Sequence, residues 1–306
     1  MAFASFSPSS LTEMLSQLNS FAGSELGWGT TWNGTTLTLT PKPGQSVFSL
    51  VEQPNSYQNT GVPQLAMTLT DGADSFTTLM SHVYSTSVCW FFGGAEPEPW
   101  LLIVVQTSPG AYRHAYIGYV ERYGAWSGGA VCTATQIGRY QTTYYSYTHA
   151  YSTSLFDATS YRNYRTPTDR LGGMILRGHG QAGQAEVAYF GSDHASYGVP
   201  SQFPRAAGGP SSWYAQALRN PGVAPYSGEA ALAPITLFAD ITRIGNWTPL
   251  GRVCGIRLVN VADFNPEDVL SYAGRTWRVF PLNSKANSSS QEPTSGDAGL
   301  AVLQEA

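Results

Sequence analysis

Leu101-Leu102-Ile103-Val104-Val105 is an unbroken apolar run within the strongest strand signal of the sequence. A strand with water on one face alternates apolar and polar residues, whereas a strand covered on both faces does not. Strand-like segments flank the run, at Thr86–Phe92 and at Tyr112–Val120. The link Ser108-Pro109-Gly110 supplies the proline and glycine of a type II turn. We therefore predict an antiparallel meander in which Trp100–Thr107 is the central strand, covered on both faces.

An amphipathic helix is predicted near the N-terminus. Ser10-Leu11-Thr12-Glu13 forms a capping box, in which the serine and the glutamate can satisfy each other's backbone amides. Gly23 is the expected end of the helix. The chain's own sheet is the default partner for the apolar stripe of this helix, and a neighbouring subunit is the alternative. The stripe, at helical spacing, consists of Leu11, Met14, Leu15, Leu18 and Phe21.

The rest of the chain predicts a mainly β protein, either a β-sandwich or a barrel-like fold of antiparallel meanders. We expect one elaborated domain over residues 1–285, with residues 139–228 as a loop-rich insertion that includes a short helix at Ser212–Arg219. The polar, serine-rich residues 286–306 are expected to be a flexible tail. The further strand candidates are Thr35–Thr40, Phe48–Glu52, Leu65–Thr70, Ala130–Thr135, Leu171–Arg177, Ala185–Phe190, Ile235–Ile244, Arg252–Val261 and, as the last strand, Arg275–Pro281.

The composition favours a surface that other protein subunits cover. Charged residues make up 12% of the 306 residues, against roughly 25% in a typical soluble domain. Lysine occurs only at Lys42 and Lys285. Protein contacts are depleted in lysine and enriched in tyrosine, tryptophan and arginine, although extracellular β-proteins share this composition. The net charge of −4 and the absence of basic runs argue against general nucleic-acid binding.

No sequence pattern predicts a cofactor or metal site. Residues 178–183 (GHGQAG) match the glycine spacing of a dinucleotide-binding turn. That turn requires a helix directly after it, but Ala185–Phe190 alternates like a strand, so we interpret the match as a glycine-rich hairpin. The histidines lack metal-binding spacing. Cys89, Cys132 and Cys254 are far apart, which fits neither a disulfide framework nor a zinc site.

Catalytic residues are not predicted either, and we expect that the protein is not an enzyme. The carboxylate pairs Asp71/Asp74 and Glu96/Glu98 are close in sequence, but both lie in predicted turns. A glycosidase would need two carboxylates facing each other across a sugar-binding cleft. Turn formation accounts for these residues without such a cleft.

A tyrosine-rich segment in the insertion is the strongest candidate for a binding surface. Because tyrosine offers a large contact area with a polar end, the segment has two functional interpretations, a subunit contact or a sugar-stacking surface. A third interpretation is a loop that folds back on its own sheet. The segment contains Tyr140, Tyr144, Tyr145, Tyr147, Tyr151, Tyr161 and Tyr164. If the segment, the helix and the tail after Lys285 are subunit contacts, the candidate contact residues in the helix and the segment are Leu11, Leu15, Leu18, Tyr144, Tyr145, Tyr147, Tyr151, Tyr161 and Tyr164.

The N-terminal residues Met1–Ser5 lack the positive charge and long apolar core of a signal peptide. No stretch approaches the ~18 consecutive apolar residues that a membrane-spanning helix needs. We therefore expect synthesis in a cytoplasm without export, and no association with a membrane.

Three stretches of the sequence carry a resemblance to a known class of proteins. They are the N-terminal helix followed by Gly27-Trp28, residues 113–129 (RHAYIGYVERYGAWSGG), and residues 260–285, which include RTWRVFP at 275–281. These stretches resemble virion proteins of tailed bacteriophages. The resemblance implies a β-rich subunit of a tail, baseplate or neck.

Such a subunit would be made in the cytoplasm of a bacterial host and present in several copies. Its partners would be copies of itself and other virion proteins, and no functional residues follow from the resemblance. The alternative is a carbohydrate-binding or carbohydrate-cleaving receptor-recognition domain, which could bind a host glycan.

Overall fold

A computed structural model describes residues 1–54, 63–72, 74–80, 88–125, 128–135, 230–240, 247–282, 284 and 298–305. Over these residues the protein is mainly β with one N-terminal helix, which confirms the predicted fold class. The predicted insertion at 139–228, with its strands and short helix, lies outside the described residues. The elements are β1 (Ala2–Phe6), α1 (Leu11–Ser24), β2 (Gly29–Trp32), β3 (Thr36–Thr40), β4 (Val47–Pro54), β5 (Pro63–Asp71), β6 (Asp74–Met80), β7 (Val88–Gly94), β8 (Trp100–Ser108), β9 (Ala111–Arg122), β10 (Ala130–Ala134), β11 (Ala233–Asp240), β12 (Trp247–Asn260), β13 (Val269–Tyr272), β14 (Arg275–Pro281) and β15 (Ala298–Glu305).

The predicted meander forms the middle layer of the protein. Strands β7, β8 and β9 pair antiparallel, and Leu102 of β8 lies between Phe92 and Tyr116. The side chains of β8 alternate between two separate cores. Leu102 and its face pack against the C-terminal strands, whereas Ile103 and its face pack against the N-terminal part of the chain. The prediction of a central strand covered on both faces is confirmed.

The N-terminal core contains α1 and a five-stranded antiparallel sheet in the order β2-β3-β4-β5-β6. Every residue of the predicted apolar stripe is buried, and the ring of Phe21 lies 5.7 Å from that of Phe91 on β7. The intramolecular packing of the helix is therefore confirmed. Buried Leu37 and Leu39 confirm the predicted alternation of β3.

The ends of α1 differ in detail from the prediction. The Ser10 hydroxyl accepts a hydrogen bond from the Glu13 amide at 3.1 Å, as a capping box requires. The Glu13 carboxylate, however, accepts from the amide of Ser9 at 2.7 Å. The helix also continues one residue past Gly23, and the left-handed turn falls at Gly27, where φ is 66°.

The other described sheet contains ten strands along the path β1-β7-β8-β9-β12-β15-β14-β13, with β10 paired to β9 and β11 to β12. Strand β12 changes partner along one edge: Gly251–Val253 pair with β9, and Ile256–Asn260 pair with β15. Gly255, with a φ of 69°, lies between these two segments. A Cβ atom there would lie 2.2 Å from Cε2 of Trp100, so the indole ring packs directly on the glycine backbone.

The predicted C-terminal tail is wrong where the structure describes it. Ala298–Glu305 form β15, which pairs antiparallel with β12 on one edge and with β14 on the other. Leu300, Ala301 and Val302 are fully buried. Arg275–Pro281 is therefore not the last strand. A short apolar run without alternation suits an interior strand, and the serine-rich residues before it obscured this signal.

We expect Gly255→Ala to destabilise the protein more than Gly274→Ala does. Both glycines have a φ near 70°, but the structure has no atom within 4 Å of a Cβ at Gly274. The left-handed backbone should cost each variant about 1–2 kcal/mol. Overpacking against Trp100 should add ~1–3 kcal/mol at Gly255 alone. If denaturant unfolding showed that the two variants lose the same free energy of unfolding, the packing of Trp100 on Gly255 would be contradicted.

The placement of β15 predicts that Leu300→Ala lowers the free energy of unfolding by ~2–5 kcal/mol, because a buried leucine leaves a cavity. Exposed Glu305, on the same strand, is the control. Glu305→Ala should change stability by less than about 0.5 kcal/mol. Chemical denaturation of both variants checks this, and two neutral substitutions would restore the interpretation of a flexible tail.

Candidate interaction surface

Arginine and aromatic side chains collect around Arg257 on one side of the C-terminal strands. We call this group the Arg257 patch. Strand register brings part of it together, since Tyr272 pairs with Arg275 across the β13–β14 hairpin. Arg275 and Trp277 then share a face of β14, because side chains two residues apart on a strand point the same way. The patch consists of Tyr123, Arg252, Arg257, Tyr272, Arg275 and Trp277.

Arg257 is held in place by an aromatic ring two strands away. It lies on β12 opposite Ala301 of β15, and β14 is the next strand along. Two strand spacings measure ~9.5 Å, yet the guanidinium carbon lies 5.8 Å from the ring centroid of Trp277. The small side chain of Ala301 leaves room for the arginine to cross β15. A cation–π contact at this distance is attractive and fixes the guanidinium.

Positive charge in the patch is only partly compensated. Arg252 forms an ion pair with Glu121, with Nη2 and Oε2 2.5 Å apart. Within the described ranges, Arg257 and Arg275 form no ion pair. Burial lowers the pKa of Arg257, and the neighbouring charge of Arg252 lowers it further. The guanidinium still stays protonated, so the patch offers two cationic groups to an anionic partner.

The patch also exposes large hydrophobic side chains. Tyr123 is 43% exposed and Tyr272 is 40% exposed. Tyrosine and arginine are among the residues that most often dominate the binding energy of protein contacts. Trp277 is buried and contributes by holding Arg257 in place. The arrangement can therefore bind a partner by combining aromatic contact with charge.

The candidate contacts from the sequence are placed differently. Leu11, Leu15 and Leu18 are buried within the chain's own N-terminal core. Their prediction as subunit contacts is wrong, because a buried side chain cannot touch another subunit. The buried residues of the tail, Leu300–Leu303, are excluded as contacts for the same reason, whereas Glu305 is exposed. Tyr144, Tyr145, Tyr147, Tyr151, Tyr161 and Tyr164 lie outside the described residues.

The residues weighed for catalysis or metal binding have structural surroundings. Glu98 forms an ion pair with Lys42, and Asp71 and Asp74 are paired in register where β5 and β6 meet at their hairpin. All three cysteines are buried, and none forms a disulfide. Burial raises the pKa of the Cys89 thiol to about 12. The described part of the chain contains no group of three or more histidine, cysteine or acidic residues placed to hold a metal ion.

His114 is a buried histidine that closes the C-terminal core. Its Nε2 lies 2.9 Å from the carbonyl oxygen of Pro281, at the end of β14. Because a carbonyl only accepts, Nε2 carries the proton. Burial lowers the pKa of His114 to about 4, and the charge of Arg113 adds to this, whereas the bond to Pro281 opposes it. The imidazole is therefore neutral near pH 7 and links β9 to β14.

The fold and the Arg257 patch define a layered β protein with a cationic, aromatic surface. No known protein-family model matches the chain, and no similar sequence is found among the curated proteins. Among the described residues, no helix combines the length and apolar character needed to cross a membrane.

The residues of the Arg257 patch are not predicted as a binding surface from the sequence. Arg275 and Trp277 lie two residues apart in the predicted strand Arg275–Pro281, and the period of two was the one signal that could have related them. Arg257, by contrast, reaches this group through β15, which the sequence analysis assigned to a tail. Without that strand, the sequence gives no sign that β12 and β14 lie close together in one sheet.

We expect His114 to make stability depend on pH. The unfolded histidine has a pKa near 6.5 and the folded one near 4, so protons bind preferentially to the unfolded chain between these values. Stability is complete above about pH 6.5 and falls as the pH drops towards 4. This shift in pKa corresponds to a decrease of about 3 kcal/mol in the free energy of unfolding.

The matched variant is His114→Gln, whose amide can still donate to Pro281. Denaturant unfolding between pH 7 and pH 4 should show a smaller loss for the variant, by on the order of 3 kcal/mol. Parallel stability curves for the two proteins would contradict a neutral buried imidazole.

Proposed function

We propose that the protein is a structural subunit of a tailed-bacteriophage virion and acts through contacts with other protein copies. It belongs, on this proposal, to a tail, baseplate or neck, and it performs no catalysis. The Arg257 patch is the observation that carries the contact role. Its guanidinium groups, of which Arg257 and Arg275 form no ion pair with any described residue, and its exposed tyrosines have the composition of a binding surface.

The layered β fold supports a mechanical role. The central meander is buried on both faces, so the two cores hold it as a rigid support for the strands that carry the patch. Low overall charge also supports extensive contact with protein, since little charge must be desolvated on assembly. The assignment to a phage particle rests on the resemblance of the three stretches described above.

Mass spectrometry of purified particles tests this function. The chain should be present at a fixed copy number in particles of the phage that encodes it. Supplied in trans, the variant Arg257→Gln/Arg275→Gln should enter particles about tenfold less well, since arginines at the centre of contacts often contribute more than ~1 kcal/mol each.

The control variant is Ser16→Glu/Thr31→Glu, which changes the net charge equally. Both residues are exposed and lie on α1 and β2, in the layer on the other side of the meander. This control should enter particles normally. Absence of the chain from particles would refute the proposed function, and equal incorporation of both variants would remove the patch from it.

Carbohydrate binding is a second candidate because exposed Tyr123 and Tyr272 could stack on sugar rings beside Arg257. A glycan array with the purified chain separates the two functions. Specific binding that Arg257→Gln abolishes would favour a receptor-recognition domain.

A further inference from the structure

Strand β13 is an open edge of the ten-stranded sheet. In the described part of the chain it pairs with β14 alone. Its sequence, Val269-Leu270-Ser271-Tyr272, contains neither a charged residue nor a proline. Proteins normally protect a sheet edge with such residues, because unpaired backbone groups can pair with another chain. This edge lacks that protection, and Val269 and Tyr272 are exposed on it.

The hairpin geometry shows which backbone groups face outward. Ala273 and Gly274 both have a positive φ, 51° and 71°, which defines a two-residue type I′ turn between β13 and β14. The pair that flanks such a turn, Tyr272 and Arg275, is hydrogen-bonded, and bonded pairs alternate along an antiparallel ladder. The N–H and C=O groups of Ser271 and Val269 therefore point away from β14.

Charges of opposite sign lie at the two ends of this edge. Asp268 precedes β13, and Arg275 follows it next to Tyr272. By the period of two along a strand, Asp268, Leu270 and Tyr272 share one face. One Asp268 carboxylate oxygen accepts from the Asn265 amide at 2.7 Å, which fixes the side chain at the end of the strand. The edge is therefore complementary in charge to a reversed copy of itself.

We propose that two copies of this chain pair antiparallel through β13 and join their sheets across a two-fold axis. Val269 of each copy pairs with Ser271 of the other through the outward N–H and C=O groups, and Leu270 faces its equivalent at the axis. In this register Asp268 lies opposite Tyr272 of the other copy, within reach of the adjacent Arg275. The carboxylate of the second copy thereby supplies an anion to the Arg257 patch.

This proposal rests on the proposed function and deepens it, since it names a second copy of the chain as the first partner of the Arg257 patch. Its test does not depend on whether the chain is found in particles. Sedimentation velocity of the full chain should show a concentration-dependent dimer. Ser271→Pro should abolish the dimer, because proline removes an outward N–H and leaves the ladder to β14 intact. Ser271→Thr keeps that N–H and should dimerise as the parent chain does.

The charge contribution is tested with neutral substitutions that preserve the local structure. Asp268→Asn can still accept from Asn265, and Arg275→Gln lies on the exposed surface. Each should raise the dissociation constant roughly three- to tenfold at low salt. The double variant should be no weaker than either single variant, because all three lack the same pair.

Two results would overturn the pairing: a monomer at every concentration, or a dimer that Ser271→Pro leaves unchanged. Neither result bears on the presence of the chain in particles. Conversely, a β13 dimer from a chain that is absent from particles would support the pairing and refute the virion function.

Discussion

A strand that is apolar on both faces must be covered twice, and β8 imposes this requirement on the whole protein. The N-terminal helix and the five-stranded sheet cover one face, and the C-terminal strands cover the other. Burial of side chains such as Leu102 and Ile103 contributes ~1.5–3 kcal/mol each. Neither layer alone would keep β8 out of water, so the two ends of the chain are coupled through its middle.

The contact between Trp100 and Gly255 shows how tightly the C-terminal layer fits. The indole ring occupies the space where any other residue would place a side chain, at the point where β12 leaves β9 and joins β15. The left-handed backbone at Gly255 allows this change of partner. The glycine therefore serves both the packing of the core and the path of the strand.

Sequence alone predicted the elements whose signal is local. The meander, the buried helix stripe and the alternation of β3 each depend on the spacing of neighbouring residues. It failed at β15, whose eight residues are a strand only because β12 and β14 cover their edges. The Arg257 patch depends on that same strand, so the spacing of neighbouring residues could not predict it. Strands β1, β2 and β13 were missed because they lack the strict alternation that marks β3. Strand β6 was missed because its apolar residues, at 76, 79 and 80, do not follow a period of two.

The position of β15 orders the maturation of the protein in time. Within the sheet, the β13–β14 hairpin joins β12 only through β15, although β15 is synthesised after both. A nascent chain that has just produced β14 lacks the strand that pairs β14 with the rest of the sheet, and contacts between distant parts of a chain form slowly. The β13 edge, as the proposed pairing uses it, is joined to the ten-stranded sheet only once β15 is in place. On the proposed pairing, a chain still lacking β15 would carry this edge on a hairpin that no other strand holds in the sheet.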